Sequence, residues 1–191
     1  MPWPVMRNWF RPELRILFAC TANVCRSPLA EAMLRQRLRV LGLGRRVRVS
    51  SAGTRVGQAG RRPDPRVQKL AAENGVPLGQ IRASQLTPAM IQASHYILVM
   101  DQGHVLDIAE LLAVPELPGT VQLLGAYLPG DLDRDIEIQD PYYGDWQGFC
   151  EVFDRIDLAL DGLLRDVEQR LAVVAPEPEP GPGPEPGPEP E

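Results

Sequence analysis

The sequence has no long uninterrupted run of apolar residues. Its hydrophobic stretches fall well short of the ~20 residues that a membrane-spanning helix needs. The first residues, MPWPVMRNWFRPE, also lack the apolar core and the small-residue cleavage site of a secretory leader. We therefore expect a cytoplasmic protein without a membrane partner.

Cysteine and histidine are scarce as well. The 191 residues include three cysteines, an odd number without the spacing of a disulfide framework, which indicates a reducing compartment. The two histidines, His95 and His104, stand apart from any cluster of ligand residues. The sequence therefore predicts no metal site.

Lysine is almost absent, since Lys69 is the single lysine among 20 basic residues. The formal charge of −5 arises in residues 176–191, which hold five glutamates and no basic residue, while the rest of the chain carries equal numbers of acidic and basic residues. A balanced charge argues against a protein that binds nucleic acid or a membrane surface.

The two ends of the chain differ in composition from the segment between them. Residues 1–13 are predicted to be a loose N-terminal extension. Residues 174–191 form a predicted disordered tail, because alternating proline and glutamate offer neither apolar surface nor a helix or strand pattern. A spacer and a ligand for a proline-binding module are two interpretations of this tail, and a solvated segment without a specific role is the simplest one. Residues 14–173 suit one domain.

Apolar runs alternate with helical patterns within this domain. Strands are predicted at 14–20, 46–53, 95–100 and 120–127, and helices at about 29–41, 64–75, 103–113 and 147–173. This alternation predicts an α/β fold, a three-layer sandwich in which helices cover both faces of a four-stranded parallel sheet. Ligands of such sheets bind beyond the carboxyl ends of the strands, and Cys20 lies at one such end.

The junction CTANVCRSP (20–28) concentrates reactive side chains between the first strand and the first helix. Ser27 and Pro28 are typical of an N-cap and a first helical position, so the loop amides should converge into a cradle for an anion. Cys20 lies where these amides meet, which favours the thiolate. A structural interpretation, with Cys20 and Cys25 as small buried hydrophobes, leaves the other features of the junction unexplained.

The polar neighbours of Cys20 suit phosphate chemistry. The planar guanidinium of Arg26 matches two phosphate oxygens. Ser27 can donate to the sulfur of Cys20 and later to a departing group, and Asn23 can brace the loop through bonds to the backbone. These features predict covalent phosphoryl transfer through a phosphocysteine.

A second loop, LPGDLDRDIEIQDPYYGDWQG, precedes the last helix and supplies an acid. Loops of this length in a compact domain are usually functional. Asp140 stands out among its aspartates because Pro141 stiffens it, and Tyr142 and Tyr143 can form a slot for a planar leaving group. The sequence therefore predicts Asp140 as the general acid, in preference to Asp131, Asp133, Asp135 and Asp145.

The segments CTANVCRSP, SAGT (51–54), VMD (99–101) and DPYYG (140–144) together resemble the low-molecular-weight protein tyrosine phosphatases, from about residue 14 to residue 170. The resemblance implies hydrolysis of phosphotyrosine in protein substrates without a metal or another cofactor. It maps the nucleophile to Cys20, the phosphate-binding arginine to Arg26 and the general acid to Asp140.

The resemblance also implies the remaining site residues. Asn23, Ser27 and Ser51 would brace the phosphate loop. The residues expected to contact phosphate or substrate are Thr21, Ala22, Asn23, Val24, Cys25, Ser27, Tyr142 and Tyr143. We expect the enzyme to be a monomer.

Two positions depart from the family pattern. Ile81 stands where the family often has a histidine in the Asn–Ser–Ser network, so another group must complete that network. Gly57 lies near the position of an aromatic wall, which predicts a substrate slot that is open on one side.

Other functions remain as alternatives. Protein-arginine phosphatases share the loop but have a threonine where this chain has Val24. Arsenate reductases need a relay of further cysteines, and Cys150 is the one cysteine outside the loop. A phosphocysteine carrier would need neither Arg26 nor Asp140, and a non-catalytic phosphate-binding module would need no nucleophile.

Three further residues have open or supporting roles. Cys25 either captures an oxidised Cys20 as a disulfide or packs beneath the loop. Asp101 is predicted to support the site rather than to act in it. Trp146 either shields the mouth of the pocket or packs against the last helix.

Overall fold

The computed structural model describes residues 12–114, 120–130 and 136–174. Within them, helices and strands alternate as predicted. The strands are β1 (Leu14–Cys20), β2 (Val47–Gly53), β3 (Tyr96–Val99) and β4 (Val121–Leu123). The α-helices are α1 (Arg26–Val40), α2 (Pro65–Glu73), α3 (Pro88–Gln92), α4 (Gln102–Leu112) and α5 (Trp146–Val174).

The four strands form one parallel sheet in the order β2-β1-β3-β4. The chain crosses from β1 to one side to make β2 and returns to the other side to make β3. The strand order therefore reverses next to β1, and in open α/β sheets this reversal creates a crevice at the carboxyl ends of the strands. Cys20, the last residue of β1, lies at this crevice.

Helices cover both faces of the sheet, which confirms the predicted three-layer sandwich. Leu14, Ile16 and Phe18 of β1 pack on one face with apolar residues of α1, α2 and α5. Leu17 and Ala19 point to the other face and pack with residues of β3, α3 and α4. Because both faces are covered, β1 reads in the sequence as a nearly continuous apolar run rather than as an alternating one.

The start of α2 confirms its sequence signals. Asp64 is the N-cap, its carboxylate accepts from the backbone N–H of Arg66, and Pro65 occupies the first helical position. Gly75 follows the helix with φ +66°, a conformation that glycine adopts without steric penalty.

The fourth strand is shorter than predicted. β4 ends at Leu123, and residues 124–127 form a 3-10 helix instead of continuing the strand. Gly125 lies so close to the carbonyl of Ile136 that a side chain there would overlap it. The prediction of a strand over 120–127 was therefore wrong beyond residue 123, and the helix α3 was missed because it has five residues.

Several predicted features lie outside the described residues. These are most of the N-terminal extension, the tail after Val174, and Asp131, Asp133 and Asp135 of the second loop. None of the helices that the structure describes is both long and apolar enough to cross a membrane.

Candidate active site

The loop predicted to bind phosphate occupies residues 21–25, between the end of β1 and the first residue of α1. No backbone amide of this loop donates a hydrogen bond to another residue that the structure describes. Unpaired amides beside a helix N-terminus form a site for an anion. The loop carbonyls, in contrast, are anchored, since Thr21 and Val24 accept from Arg55 and Asp64 respectively.

The helix that follows the loop begins two residues earlier than its sequence signals indicate. α1 starts at Arg26 with Cys25 at the N-cap position, and no side chain caps it. Ser27 is therefore not the N-cap, and that prediction was wrong. Its hydroxyl oxygen lies 2.9 Å from the sulfur of Cys20 and 2.8 Å from Asn23 Nδ2, so the site uses the hydroxyl that a cap would need.

Asn23 connects the loop to residues of α1, β2 and the segment before α3. Its backbone has a positive φ of 55°, which asparagine tolerates better than most residues. Its Nδ2 donates to the hydroxyls of Ser27 and Ser51, and its Oδ1 accepts from the N–H of Ser84. Since Ser27 Oγ accepts from Asn23, its own hydrogen can go to the sulfur of Cys20, 2.9 Å away, or to the carbonyl of Ala52, 3.4 Å away. The network thus holds a hydroxyl group beside the sulfur of Cys20.

Glu31 completes this network, and sequence reasoning missed it. Ser51 donates to the Glu31 carboxylate, which also pairs with Arg35 at 2.6 Å. Glu31 is 4% exposed, and its burial raises its pKa above the ordinary value, although bonds from Ser51 and Arg35 act against the rise. Ile81 is buried in the core and has no polar side-chain group that could join this network. The network therefore ends in the carboxylate of Glu31.

Arg26 is the central cation of the site and is 2% exposed. Its Nη1 donates to Asp101 at 2.8 Å and to the carbonyl of Ile138 at 2.9 Å, and its Nη2 donates to Asp140 at 2.7 Å. Among the described residues, Arg26 Nε is the single buried side-chain nitrogen or oxygen without a hydrogen-bond partner. A buried donor without a partner calls for an explanation, and Arg26 lines the cavity at Cys20.

His104 and Asp101 connect α4 to the loop. His104 is 2% exposed, with Nε2 3.0 Å from Thr21 Oγ1 and Nδ1 2.9 Å from Asp101 Oδ1. Burial acts to raise the pKa of Asp101, but hydrogen bonds from His104 and Arg26 outweigh it and hold the pKa well below its usual range. Asp101 thus supports Arg26, whereas sequence analysis assigned no functional role to His104.

The general-acid candidate lies at the mouth of the cavity. The Asp140 side chain is 45% exposed, and its Oδ1 accepts from the N–H of Tyr142. The rings of Tyr142 and Tyr143 meet edge to face at 5.0 Å, and the Arg66 guanidinium lies 5.4 Å from the centre of the Tyr142 ring. Two aromatic rings therefore flank the acid.

The cavity encloses about 190 Å³. Its lining brings together most of the predicted residues, namely Cys20, Thr21, Ala22, Val24, Cys25, Arg26, Asp140, Tyr142 and Tyr143. No described residue from 54–60 lines it, and Gly57 is exposed with open space around its Cα. Tyr142 and Tyr143 thus form an aromatic wall on one side of the cavity, and residues 54–60 add no second wall. Gly53 is needed behind the loop, because a Cβ there would lie 2.7 Å from the carbonyl oxygen of Thr21.

Two residues left open by the sequence have packing partners. Cys25 is buried, and desolvation is the main cause that raises the pKa of its thiol to about 12. Trp146 stacks beneath the ammonium of Lys69 at 4.4 Å and is not part of the cavity lining. Within the described ranges, no three histidine, cysteine or acidic side chains are grouped as a metal site would require.

Known proteins resemble this chain in sequence and in fold. The family described as low molecular weight phosphotyrosine protein phosphatase matches residues 15–173. A low molecular weight protein-tyrosine phosphatase A from Mycobacterium bovis is 38% identical over 85% of this chain and 97% of its own. A low molecular weight protein-tyrosine-phosphatase from Streptomyces coelicolor is 34% identical over 82% of this chain and 95% of its own.

A solved structure agrees with these relatives. The YwlE arginine phosphatase from Geobacillus stearothermophilus superimposes with a TM-score of 0.72 and 28% identity, over 86% of this chain and 99% of its own. The sheet, the loop after β1 and the match over residues 15–173 define a hydrolase of the protein phosphatase class. The chain belongs to the low molecular weight phosphotyrosine protein phosphatase family.

Proposed function

We propose that this chain hydrolyses phosphotyrosine in protein substrates through a phosphocysteine on Cys20. The observation that carries the proposal is the buried Arg26, which has an unpaired Nε and lines the same cavity as Cys20. A buried cation with a free donor, next to a sulfur and five unpaired loop amides, is suited to a phosphoryl dianion.

In the first step, the loop amides and Arg26 hold the oxygens of the phosphoryl group. The Cys20 thiolate attacks phosphorus, the bond from phosphorus to the tyrosine oxygen breaks, and Asp140 gives its proton to that oxygen. Arg26 and the amides balance the charge on the three equatorial oxygens while the bonds exchange. Tyrosine leaves, and phosphocysteine and the Asp140 carboxylate remain.

In the second step, water replaces the departed tyrosine. Asp140 takes a proton from this water, the oxygen attacks phosphorus, and the bond between sulfur and phosphorus breaks. The hydroxyl of Ser27, 2.9 Å from the sulfur, donates to the thiolate as it leaves. Inorganic phosphate departs with Cys20 and Asp140 returned to their starting states.

The substrate assignment rests on the aromatic wall. Tyr142 and Tyr143 lie beside Asp140, where the leaving group must be protonated, and they can pack against a phenol ring. An arginine side chain is neither aromatic nor flat over its aliphatic part, and Val24 offers it no hydroxyl. The relatives named as protein-tyrosine phosphatases support the same substrate class.

A comparison of rates on phosphotyrosine and phosphoarginine peptides, with an assay of arsenate reduction, tests the assignment. We expect kcat/KM on phosphotyrosine to be the highest. A higher value on phosphoarginine would contradict the assignment in favour of a protein-arginine phosphatase. Thiol-dependent arsenite formation would indicate a reductase.

Replacing the nucleophile tests the mechanism separately. Cys20→Ser should abolish turnover, because the serine hydroxyl is a far weaker nucleophile, while vanadate still binds to the loop amides and Arg26. Turnover is followed with an aryl phosphate and binding by calorimetry with vanadate. Substantial residual activity in a preparation free of contaminating phosphatase would reject the phosphocysteine.

A further inference from the structure

A strongly basic groove lies on the opposite end of the sheet from Cys20. It runs between the second half of α1 and the edge strand β2 and encloses about 890 Å³. Four arginines line it, and no acidic residue is part of its lining. We call this surface the arginine groove and define it by Arg35, Arg39, Arg45 and Arg48.

Most of its charge is uncompensated. Arg39, Arg45 and Arg48 are exposed, and within the described part of the chain their side chains form no ion pair or hydrogen bond. Their neighbours in sequence behave differently, since Arg37 pairs with aspartates of α5 and Arg46 pairs with Glu13. Positive charge concentrated in a concave surface attracts anionic groups.

The C-terminal end of the fold lies beside this groove. α5 ends at Val174, and the carbonyl of Leu171 in its last turn accepts from Arg46 at 3.1 Å. Arg46 is adjacent in sequence to Arg45 of the groove. The last turn of α5 is therefore hydrogen-bonded to the residue that follows Arg45 of the groove.

This segment has the complementary charge. Residues 176–191 contain five glutamates, no basic residue and a proline at every second position. Proline-rich chains favour an extended form that rises ~3.1 Å per residue, so Glu177 and Glu179 would stand about 6 Å apart. Five such residues span about 15 Å.

We propose that residues 176–191 dock in the arginine groove through ion pairs between their glutamates and Arg39, Arg45 and Arg48. A tethered segment has an effective concentration in the mM range, which a separate acidic protein does not reach. Proline also restricts the free segment, so less conformational entropy is lost on docking. The contact is electrostatic, weakens with salt, and shields the groove from other polyanions.

Zero-length cross-linking of the full chain tests this proposal. Arg45→Lys with Arg48→Lys keeps the charge and introduces amines that a carbodiimide can couple to carboxylates. We expect cross-links within one chain from positions 45 or 48 to residues 176–191, identified by mass spectrometry. Arg61→Lys with Arg62→Lys is the matched control, because these exposed arginines lie outside the groove, and it should yield at least tenfold fewer.

Two conditions separate ion pairing from chance contact. Replacing the five glutamates by glutamine, or adding 0.5 M NaCl, should weaken the ion pairs. The amide NMR shifts of residues 39–48 report this without a covalent bond, and either change should alter them. Equal cross-link yields at groove and control positions, together with shifts unchanged by the glutamine tail, would overturn the proposal. Cross-links between two isotopically distinct copies would overturn it in favour of a dimer contact. A polyanion that binds equally to chains with glutamate or glutamine tails would show that the groove is open to a separate partner.

Discussion

The carboxylate of Asp140 is bonded both to the guanidinium of Arg26 and to the backbone of Tyr142. Its Oδ2 lies 2.7 Å from Arg26 Nη2, and its Oδ1 accepts from the N–H of Tyr142. In the structure Arg26 is thus shared between Asp101 and Asp140. A bound phosphoryl dianion would compete with Asp140 for the same guanidinium and repel its carboxylate.

Asp140→Asn tests this acid, because asparagine keeps the size and an acceptor but has no proton to give. We expect the rate for aryl phosphates with poor leaving groups to fall about 100-fold or more, within the range for general acid catalysis, and the rate for good leaving groups to fall much less. A Brønsted series of substituted phenyl phosphates measures the difference. An equal loss across the series would indicate a structural role for Asp140, and Asp133 and Asp135 would then be the next candidates.

Cys25 illustrates how burial controls the reactivity of a residue beside the nucleophile. If Cys20 is oxidised to a sulfenic acid, a Cys25 thiolate can attack its sulfur, form a disulfide and release hydroxide. Burial raises the pKa of Cys25 to about 12, so its thiolate is scarce at neutral pH. Below that pKa, the thiolate fraction increases about tenfold for each unit by which the pH rises.

The protection by Cys25 should therefore grow with pH. We expect wild type to recover more activity than Cys25→Ser after peroxide and dithiothreitol, with a larger difference at pH 8.5 than at pH 6.5. Activity before peroxide serves as the reference for each protein. The same recovery for both proteins at both pH values would assign Cys25 to packing alone.

At the scale of elements, the site depends on a hydrogen-bond chain between α1, β2 and the loop. Glu31 of α1 accepts from Ser51 of β2, Ser51 accepts from Asn23 of the loop, and Asn23 donates to Ser27. Each link fixes the direction of the next, so the carboxylate at one end orients the hydroxyl that faces Cys20 at the other. Because Asn23 has a positive φ, the loop needs this bracing to keep its shape.

Two substitutions of Glu31 distinguish hydrogen bonding from charge. Glu31→Gln retains an oxygen that can accept from Ser51 and should keep kcat within about threefold of wild type. Glu31→Leu leaves the Ser51 hydroxyl without its acceptor and should lower kcat about tenfold with little change in KM, equivalent to ~1.4 kcal/mol. Steady-state kinetics and thermal denaturation of both variants give the comparison. The same kcat for leucine and glutamine would show that the chain does not orient Ser27.

Local signals predicted the elements that depend on local chemistry. The apolar run of β1 and the Asp64–Pro65 start of α2 are visible in the sequence and present in the structure. The segment after Leu123 was predicted incorrectly because its apolar composition suits a strand, whereas the contact of Gly125 with Ile136 is set by the fold. Long-range contacts of this kind have no pattern in the sequence.

The site divides in the same way. Cys20 and Arg26 belong to one contiguous loop, so their spacing identifies them, and Asp140 is marked by its proline and tyrosines. Glu31 and His104 could not be identified, since each acquires its role from a partner distant in sequence, Ser51 for one and Thr21 for the other. On a helix, such residues look like ordinary polar positions until the helix is docked.

At the scale of the whole molecule, the cavity at Cys20 and the arginine groove lie toward opposite ends of the sheet. Cys20 is at the carboxyl end of β1, whereas the arginine groove includes Val47, which pairs with Leu14 at the opposite end of the sheet. A seven-residue strand spans about 23 Å, which exceeds the Debye length of about 8 Å at physiological salt. The exposed arginines Arg39, Arg45 and Arg48 are therefore screened from the phosphate site, whereas Arg35 of the groove pairs with Glu31 of the site's hydrogen-bond chain.

This separation makes deletion of residues 176–191 a clear test of what the tail contributes. The tail carries no apolar side chains other than proline, so its removal exposes almost no apolar surface, and exposed ion pairs contribute ~0–1 kcal/mol each. We expect kcat/KM on a small aryl phosphate to remain within about twofold, and the melting temperature to change by no more than about 4 °C. The glutamine-tail variant is the matched control, because it removes the charge and keeps the length. A drop of 10 °C or more in the deletion, with the control unchanged, would show that the tail packs through its prolines and not through its glutamates.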